Sequence, residues 1–184
     1  GDFAGAEEDL VEALALTEQS YGRDDYRSLR MQMALGWYYT AAGDAVRGRA
    51  MLDAVGPELM RVYGERSQTV GNYHFNLANA ELALGHQAAA RDGYLRAAQI
   101  YEQSGAGKTS YVGSAMWNAA SIEIDLGNLA HAAALLDEIE RRWDGVVPAD
   151  APVRAGFAET RRLLEARRAE AAEPAARPDG AVAR

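Results

Sequence analysis

A constant interval of 42 residues separates four glycines along the chain, Gly1, Gly43, Gly85 and Gly127. Other positions keep the same step. Five places after each glycine come Ala6, Gly48, Ala90 and Ala132. Nine places after come Leu10, Leu52, Tyr94 and Leu136, and twelve places after come Ala13, Val55, Ala97 and Ile139. Because small and large residues recur at fixed distances from each glycine, the chain contains one supersecondary unit repeated several times.

The bulk composition excludes several classes of partner and site. A surface that binds phosphates needs clustered Lys and Arg, whereas the formal net charge is −8 and Lys108 is the one lysine of the 184 residues. We therefore expect no nucleic-acid partner. The absence of cysteine excludes disulfides and thiolate metal sites and is compatible with a cytoplasmic location. No apolar run approaches the roughly 20 residues that span a bilayer, so we expect no membrane partner.

Each 42-residue unit has the pattern of two amphipathic helices joined at the glycine. In the second unit, Leu29, Met33 and Gly36 follow helical spacing up to Gly43, which supplies a left-handed helix end, and Asp44 suits the next N-cap. This pattern predicts an all-α fold, a right-handed α-solenoid of antiparallel helix pairs. The expected units are a half repeat over 1–22 and repeats over 23–64, 65–106 and 107–145.

The two ends of the chain differ from the repeats between them. The first unit opens at its turn glycine without a first helix, which we interpret as a fragment cut from a longer protein. After a loop with two prolines, residues 153–172 are predicted to form a capping helix with Phe157, Leu163 and Leu164 on its inner side. The expected repeat domain is thus 1–172, and the Ala/Pro/Gly-rich segment 173–184 is predicted to be disordered.

The small–large–small pattern resembles the tetratricopeptide repeat (TPR). Gly36, Ala78 and Ala120 match the small residues of its first helices, and the stretch Asn76-Leu77-Ala78 with Leu84-Gly85 is especially similar. The 42-residue step is longer than the usual 34 and resembles the kinesin-light-chain-like subclass, as do the Tyr-Gly dipeptides that close two units. The resemblance implies a binding scaffold for peptides or protein surfaces, without cofactor or catalysis.

In such arrays the first helices line a concave groove, and the repeat assigns eleven candidate partner-binding residues to it. They are Arg30, Met33, Trp37, Asn72, Phe75, Asn76, Asn79, Ser114, Trp117, Asn118 and Ser121. Asparagine offers both a donor and an acceptor to a peptide backbone, and aromatic residues are frequent binding hot spots. The alternatives are that the asparagines bond to neighbouring helices and that the aromatic rings only fill gaps between them.

Three other sequence patterns were considered as binding or metal sites, and none has the residues that such a site needs. The clamp by which some family members hold a C-terminal carboxylate needs cations where Met33, Ser114 and Asn118 stand. The segment from Gly105 to Ser110 resembles the end of a phosphate-binding loop but lacks the first glycine and the preceding strand. His74, His86 and His131 are too dispersed to form a metal site and are expected at the surface. We therefore predict no enzyme.

Three functions fit these expectations. The first is a non-catalytic interaction module of a bacterial protein that binds a peptide or partner helix in its groove, with basic or neutral partners favoured by the acidic charge. The second is the sensor or regulatory region of a bacterial signalling protein, joined to a kinase, a transcription regulator or a protease-like effector. The third is self-assembly, a homodimer through the terminal helix that carries Phe3 and Leu10.

Overall fold

The computed structural model describes residues 3–105 and 110–172, and for residues 3 and 4 the backbone alone. The described residues form eight α-helices and no strand, which confirms the all-α solenoid. The helices are α1 (Phe3–Tyr21), α2 (Tyr26–Ala41), α3 (Ala45–Tyr63), α4 (Gln68–Ala83), α5 (Gln87–Gln103), α6 (Ser110–Asp125), α7 (Leu129–Trp143) and α8 (Pro152–Ala172). Gly1, Lys108, the side chain of Phe3 and the segment 173–184 lie outside the described residues.

The helix starts repeat the 42-residue step of the sequence. Helices α2, α4, α6 and α8 begin at residues 26, 68, 110 and 152, and helices α1, α3, α5 and α7 begin at residues 3, 45, 87 and 129. The capping helix α8 therefore occupies the place of the first helix in a further unit. Each helix packs against its neighbours in sequence, and α2 also contacts α4, as α6 contacts α8.

The turn glycines adopt the backbone conformation that the sequence predicts. Gly43, Gly85 and Gly127 have φ values of 97°, 82° and 78°, a region that residues with a Cβ rarely adopt. After each glycine the next amide donates back to a helix carbonyl, as from Asp44 N to Tyr39 O at 2.9 Å, the bond typical of a Schellman motif. Asp44 also accepts from Arg47 N at 3.0 Å and so caps α3.

The small positions of the repeat lie where paired helices cross. A Cβ added at Gly48 would stand 2.7 Å from the carbonyl oxygen of Gly36, and one added at Gly36 would stand 2.9 Å from Leu52 Cγ. The large position beside the crossing is buried in every complete unit, with Leu52, Tyr94 and Leu136 at most 1 % exposed. Within the described residues, the buried apolar side chains form four clusters between neighbouring helices, and the largest extends from α4 to α8.

One part of the prediction for α8 is wrong. Phe157 and Leu164 are buried, as expected, but Leu163 is 43 % exposed. The reason is helical geometry, because residues seven apart share one face of an α-helix whereas Leu163 is rotated from Leu164 by about 100°.

Candidate functional site

A cavity of about 490 Å³ opens between α2, α4 and α6. Its walls are Met33, Ala34 and Trp37 of α2, Asn72, Phe75 and Asn76 of α4, Tyr101 of α5, and Tyr111 and Ser114 of α6. Six of these nine residues are among the eleven that the repeat assigns to the groove. None of the nine carries a charge, and their side chains comprise four aromatic rings, two amides, the Ser114 hydroxyl and apolar groups, with further hydroxyls on the two tyrosine rings.

Aromatic side chains dominate the surface of this cavity. Trp37 is 50 % exposed and Tyr111 is 45 % exposed. The ring of Tyr101 lies 5.3 Å from that of Tyr111, and the ring of Phe75 packs edge-on against Tyr94 at 5.2 Å. A half-exposed tryptophan at the mouth of a concave apolar site is the arrangement by which proteins bury a partner's apolar side chain.

The asparagines of α4 differ in how their side chains are used. The hydroxyl of Tyr101 donates to Asn72 Oδ1 at 2.9 Å, and that of Tyr94 donates to Asn79 Oδ1 at 2.5 Å. Burial of these phenols raises the pKa of Tyr94 to about 12 and raises the pKa of Tyr101 as well, so both remain neutral donors. Within the described residues no hydrogen bond involves the side chain of Asn76, whose amide therefore faces the cavity with its donor and acceptor available.

Five predicted groove residues do not line the cavity: Arg30, Asn79, Trp117, Asn118 and Ser121. Trp117 Nε1 donates to Thr160 Oγ1 of α8 at 2.8 Å, and its ring packs edge-on against Phe157 and Trp143. Trp37 and Trp117 thus have different surroundings, because α8 covers only the second. Ser121 donates to the Trp117 carbonyl oxygen at 3.1 Å.

Sequence reasoning missed Ala34, Tyr101 and Tyr111, because it assigned the groove to one face of the first helices. Tyr101 belongs to a second helix, and its ring reaches the cavity across Gly71, where an added Cβ would lie 2.6 Å from Tyr101 Cε1. The same pairing recurs one unit later between Trp143 and Gly113, with 3.0 Å to Trp143 Nε1. The 42-residue step that links these two pairs was a signal available in the sequence.

The three histidines, all expected at the surface, differ in their exposure. His86 and His131 have exposed side chains, as predicted, and each hydrogen-bonds a buried carboxylate, His86 to Glu81 at 2.6 Å and His131 to Glu123 at 2.7 Å. His74 is half-buried, and burial together with Arg96 lowers its pKa. Residues 3–105 and 110–172 contain no cluster of His, Cys, Asp or Glu side chains arranged to hold a metal ion. None of the described helices is long and apolar enough to cross a membrane.

Two crystal structures show the same architecture. Both are of TPR-like repeats, described as nearly identical to one another, in a protein from Podosopora anserina assigned as a kinesin light chain. A variant form of that protein has a TM-score of 0.73 at 18 % identity, over 92 % of this chain and 86 % of that one. The other structure has a TM-score of 0.71 at 16 % identity, over 95 % and 90 %. No protein-family model and no curated protein matches the sequence. At this identity the likeness shows the fold, a solenoid of TPR-like repeats.

Proposed function

We propose that this chain is a non-catalytic scaffold that binds an extended peptide or a partner helix in the groove between α2, α4 and α6. The observation that carries the proposal is the uncharged cavity of about 490 Å³ with Trp37 half-exposed at its mouth. Exposure of an aromatic ring to water beside a concave site is unfavourable, and a partner that covers the ring removes this exposure. The TPR-like fold of the chain, which presents its first helices as a row, supports the same use.

Two kinds of contact contribute to binding in this proposal. Trp37, Phe75 and Tyr111 surround an apolar side chain of the partner. Asn76 bonds to the partner's backbone through its amide, since a planar amide matches both the N–H and the C=O of a peptide unit. The anchor that enters is uncharged, because burying a charge in a site without a counter-charge is costly. The net charge of −8 favours basic or neutral sequence around the anchor.

The test starts with selection of peptides from a displayed random library on the immobilised chain. The affinity of a selected peptide is then measured by calorimetry for the wild type and for the double variant Trp37→Ala with Asn76→Ala. We expect a loss of at least about tenfold in affinity, since hot-spot truncations cost about 2 kcal/mol or more. Circular dichroism should stay unchanged because neither side chain is in the core.

A matched control is Tyr21→Ala, which removes another exposed aromatic residue, from α1 rather than from the groove. It should bind the selected peptide as the wild type does. Full affinity in the double variant would mean that the concave surface is the wrong site.

The proposal also includes the source of the protein, its cellular location and a regulatory role. An Ala/Arg/Gly-rich composition favours a GC-rich bacterial source, and the absence of cysteine suits the cytoplasm. In a signalling protein, an occupied groove would shift the population of an attached effector between two states. The full-length sequence separates this regulatory role from that of a simple scaffold.

A further inference from the structure

The side chains that line the cavity between α2, α4 and α6 offer more hydrogen-bond donors than acceptors. Five of them carry an N–H or O–H group that has no acceptor among the described residues: Trp37, Asn72, Asn76, Tyr111 and Ser114. The carbonyl of Asn72 already accepts from the Tyr101 hydroxyl at 2.9 Å. Apart from hydroxyl oxygens, the amide carbonyl of Asn76 is therefore the one acceptor without a partner among these side chains.

This surplus of donors disfavours a helix as the occupant of the cavity. An α-helix pairs its own backbone N–H and C=O groups, so it would cover the five donors without accepting from them. A donor that is buried in this way loses its hydrogen bonds to water and gains none in return. We therefore expect an occupant whose backbone carbonyls are open.

An extended peptide without proline has open carbonyls, but it also brings one N–H for every C=O. The cavity offers those N–H groups only Asn76 Oδ1 and the hydroxyl oxygens. Proline has no N–H, and the polyproline II conformation leaves every carbonyl free of internal hydrogen bonds. A proline-rich segment therefore supplies acceptors with few competing donors.

The aromatic rings of the cavity suit the same occupant. Trp37 is 50 % exposed and Tyr111 is 45 % exposed, and proline-rich segments dock in grooves lined by aromatic residues. A polyproline II helix has three residues per turn, so prolines three positions apart lie on one side and can both contact these rings. A residue between the two prolines can donate its N–H to Asn76 Oδ1.

A carboxylate is another group rich in acceptors, and the charges of the chain oppose it. None of the nine lining residues carries a positive charge, so a carboxylate buried in the cavity would have no counter-charge. The net charge of −8 repels anionic segments and favours basic ones. The complementary segment is therefore uncharged inside the cavity and basic outside it.

We propose that the groove binds a proline-rich segment of another protein with the pattern Pro-x-x-Pro and basic flanking residues, an inference that rests on the function proposed for the groove. The two prolines lie against Trp37 and Tyr111. The carbonyls of the segment accept from the amides of Asn72 and Asn76 and from the hydroxyl of Ser114.

The first arm of the test selects peptides on the immobilised chain from two displayed libraries. One has the fixed pattern Pro-x-x-Pro between random residues, and the other has Ala-x-x-Ala at the same places. We expect the tightest peptide of the first library to bind at least about tenfold more tightly in calorimetry than that of the second. Replacing both prolines of that peptide by alanine should weaken its binding by a similar factor.

The results of this arm separate the proline partner from the groove itself. Alanine-library peptides that bind as tightly, and that lose affinity in Trp37→Ala, would overturn the proline partner and leave the groove function standing. Peptides of either library that bind Trp37→Ala as they bind the wild type would exclude the groove.

The second arm tests the donors with a matched pair of double variants. Tyr111→Phe with Ser114→Ala removes two exposed hydroxyls from the cavity and keeps the aromatic ring, whereas Ser20→Ala with Tyr21→Phe removes the same two groups from the exposed surface of α1. The first should weaken the selected proline peptide about tenfold, because two hydrogen bonds are lost, and the second should leave its affinity within about twofold. Full affinity in the cavity variant would overturn the proposal, since the peptide carbonyls would then not be bonded there.

Discussion

At the scale of single residues, Gly48 marks a close approach between the backbones of α2 and α3. A Cβ added at Gly48 would lie 2.7 Å from Gly36 O and 2.8 Å from Thr40 N. These are backbone atoms, which cannot move aside without separating the helices. The equivalent residues Ala90 and Ala132 carry a Cβ, whereas the crossing of α2 and α3 has no room for one.

We therefore expect Gly48→Ala to lower the free energy of unfolding by about 1–3 kcal/mol, the usual cost of overpacking a core. Urea unfolding monitored by circular dichroism measures this change. Adding Thr40→Ala should not restore stability, because the contacts with the backbone remain. If Gly48→Ala is as stable as the wild type, the two helices do not cross as closely as described.

Glu81 is a second residue with a measurable role, because its buried carboxylate links α4 to α3 and to the following turn. It accepts from Arg49 Nε at 2.6 Å and hydrogen-bonds His86 Nδ1 at 2.6 Å. Burial acts to raise the pKa of Glu81, but the bonds with His86 and Arg49 outweigh it and hold the pKa below its usual range. The charged carboxylate therefore stabilises the fold.

A lowered pKa gives this contribution a defined dependence on pH. It is complete above the pKa of the unfolded chain, about 4.3, and is lost as the pH falls through the lower native pKa. We expect Glu81→Gln to lower the free energy of unfolding by about 1–3 kcal/mol at pH 7 and to differ less from the wild type near pH 3. Glu159→Gln, at an exposed ion pair, is the control and should have little effect. A Glu81→Gln effect that is the same at both pH values would contradict the account.

At the scale of elements, α8 is attached through few residues and should respond as a unit. Phe157 is 5 % exposed and contacts Trp117 and Trp143, which it joins in an aromatic cluster. In a repeat array each unit is stabilised mainly by its neighbour. Loss of this ring should therefore loosen α8 and leave α1–α5 intact.

We expect Phe157→Ala to cost about 3–5 kcal/mol in the stability of α8. Hydrogen exchange followed by mass spectrometry should show faster exchange confined to α6, α7 and α8. Leu163→Ala, on the exposed side of the same helix, should leave the exchange pattern unchanged. Faster exchange throughout the chain in Phe157→Ala would show that the array unfolds as one cooperative block.

The ends of the helices could be predicted from the sequence because glycine strongly favours the backbone conformation of a turn. Which side chains contact one another could not be predicted in the same way. Gly43 ends a helix by a backbone conformation that other residues avoid, so the turn follows from one position. Met33, Phe75 and Trp117 occupy equivalent positions of the 42-residue repeat, yet only the first two line the cavity, and Trp117 packs against Phe157 of α8. Tyr101 reaches the cavity from a second helix across Gly71, a contact between residues 30 positions apart. Such contacts depend on packing and not on periodicity alone.

At the scale of the whole molecule, the uncharged, aromatic groove belongs to a chain whose net charge is −8. We therefore expect association with a basic partner to slow as ionic strength rises. Stopped-flow mixing with a selected peptide at low and high salt measures this, and a rate independent of salt would exclude electrostatic steering.

The central claim is that a peptide is held in the groove at Trp37, and the three tryptophans of the chain test it directly. Each gives one indole N–H signal in a two-dimensional ¹H–¹⁵N spectrum, and their surroundings differ: Trp37 is half-exposed in the groove, while Trp117 and Trp143 pack against Phe157 of α8. On titration with a selected peptide, the account predicts that the Trp37 signal shifts and that the other two stay in place. A saturating peptide that moves Trp117 or Trp143 and leaves Trp37 unmoved would contradict it.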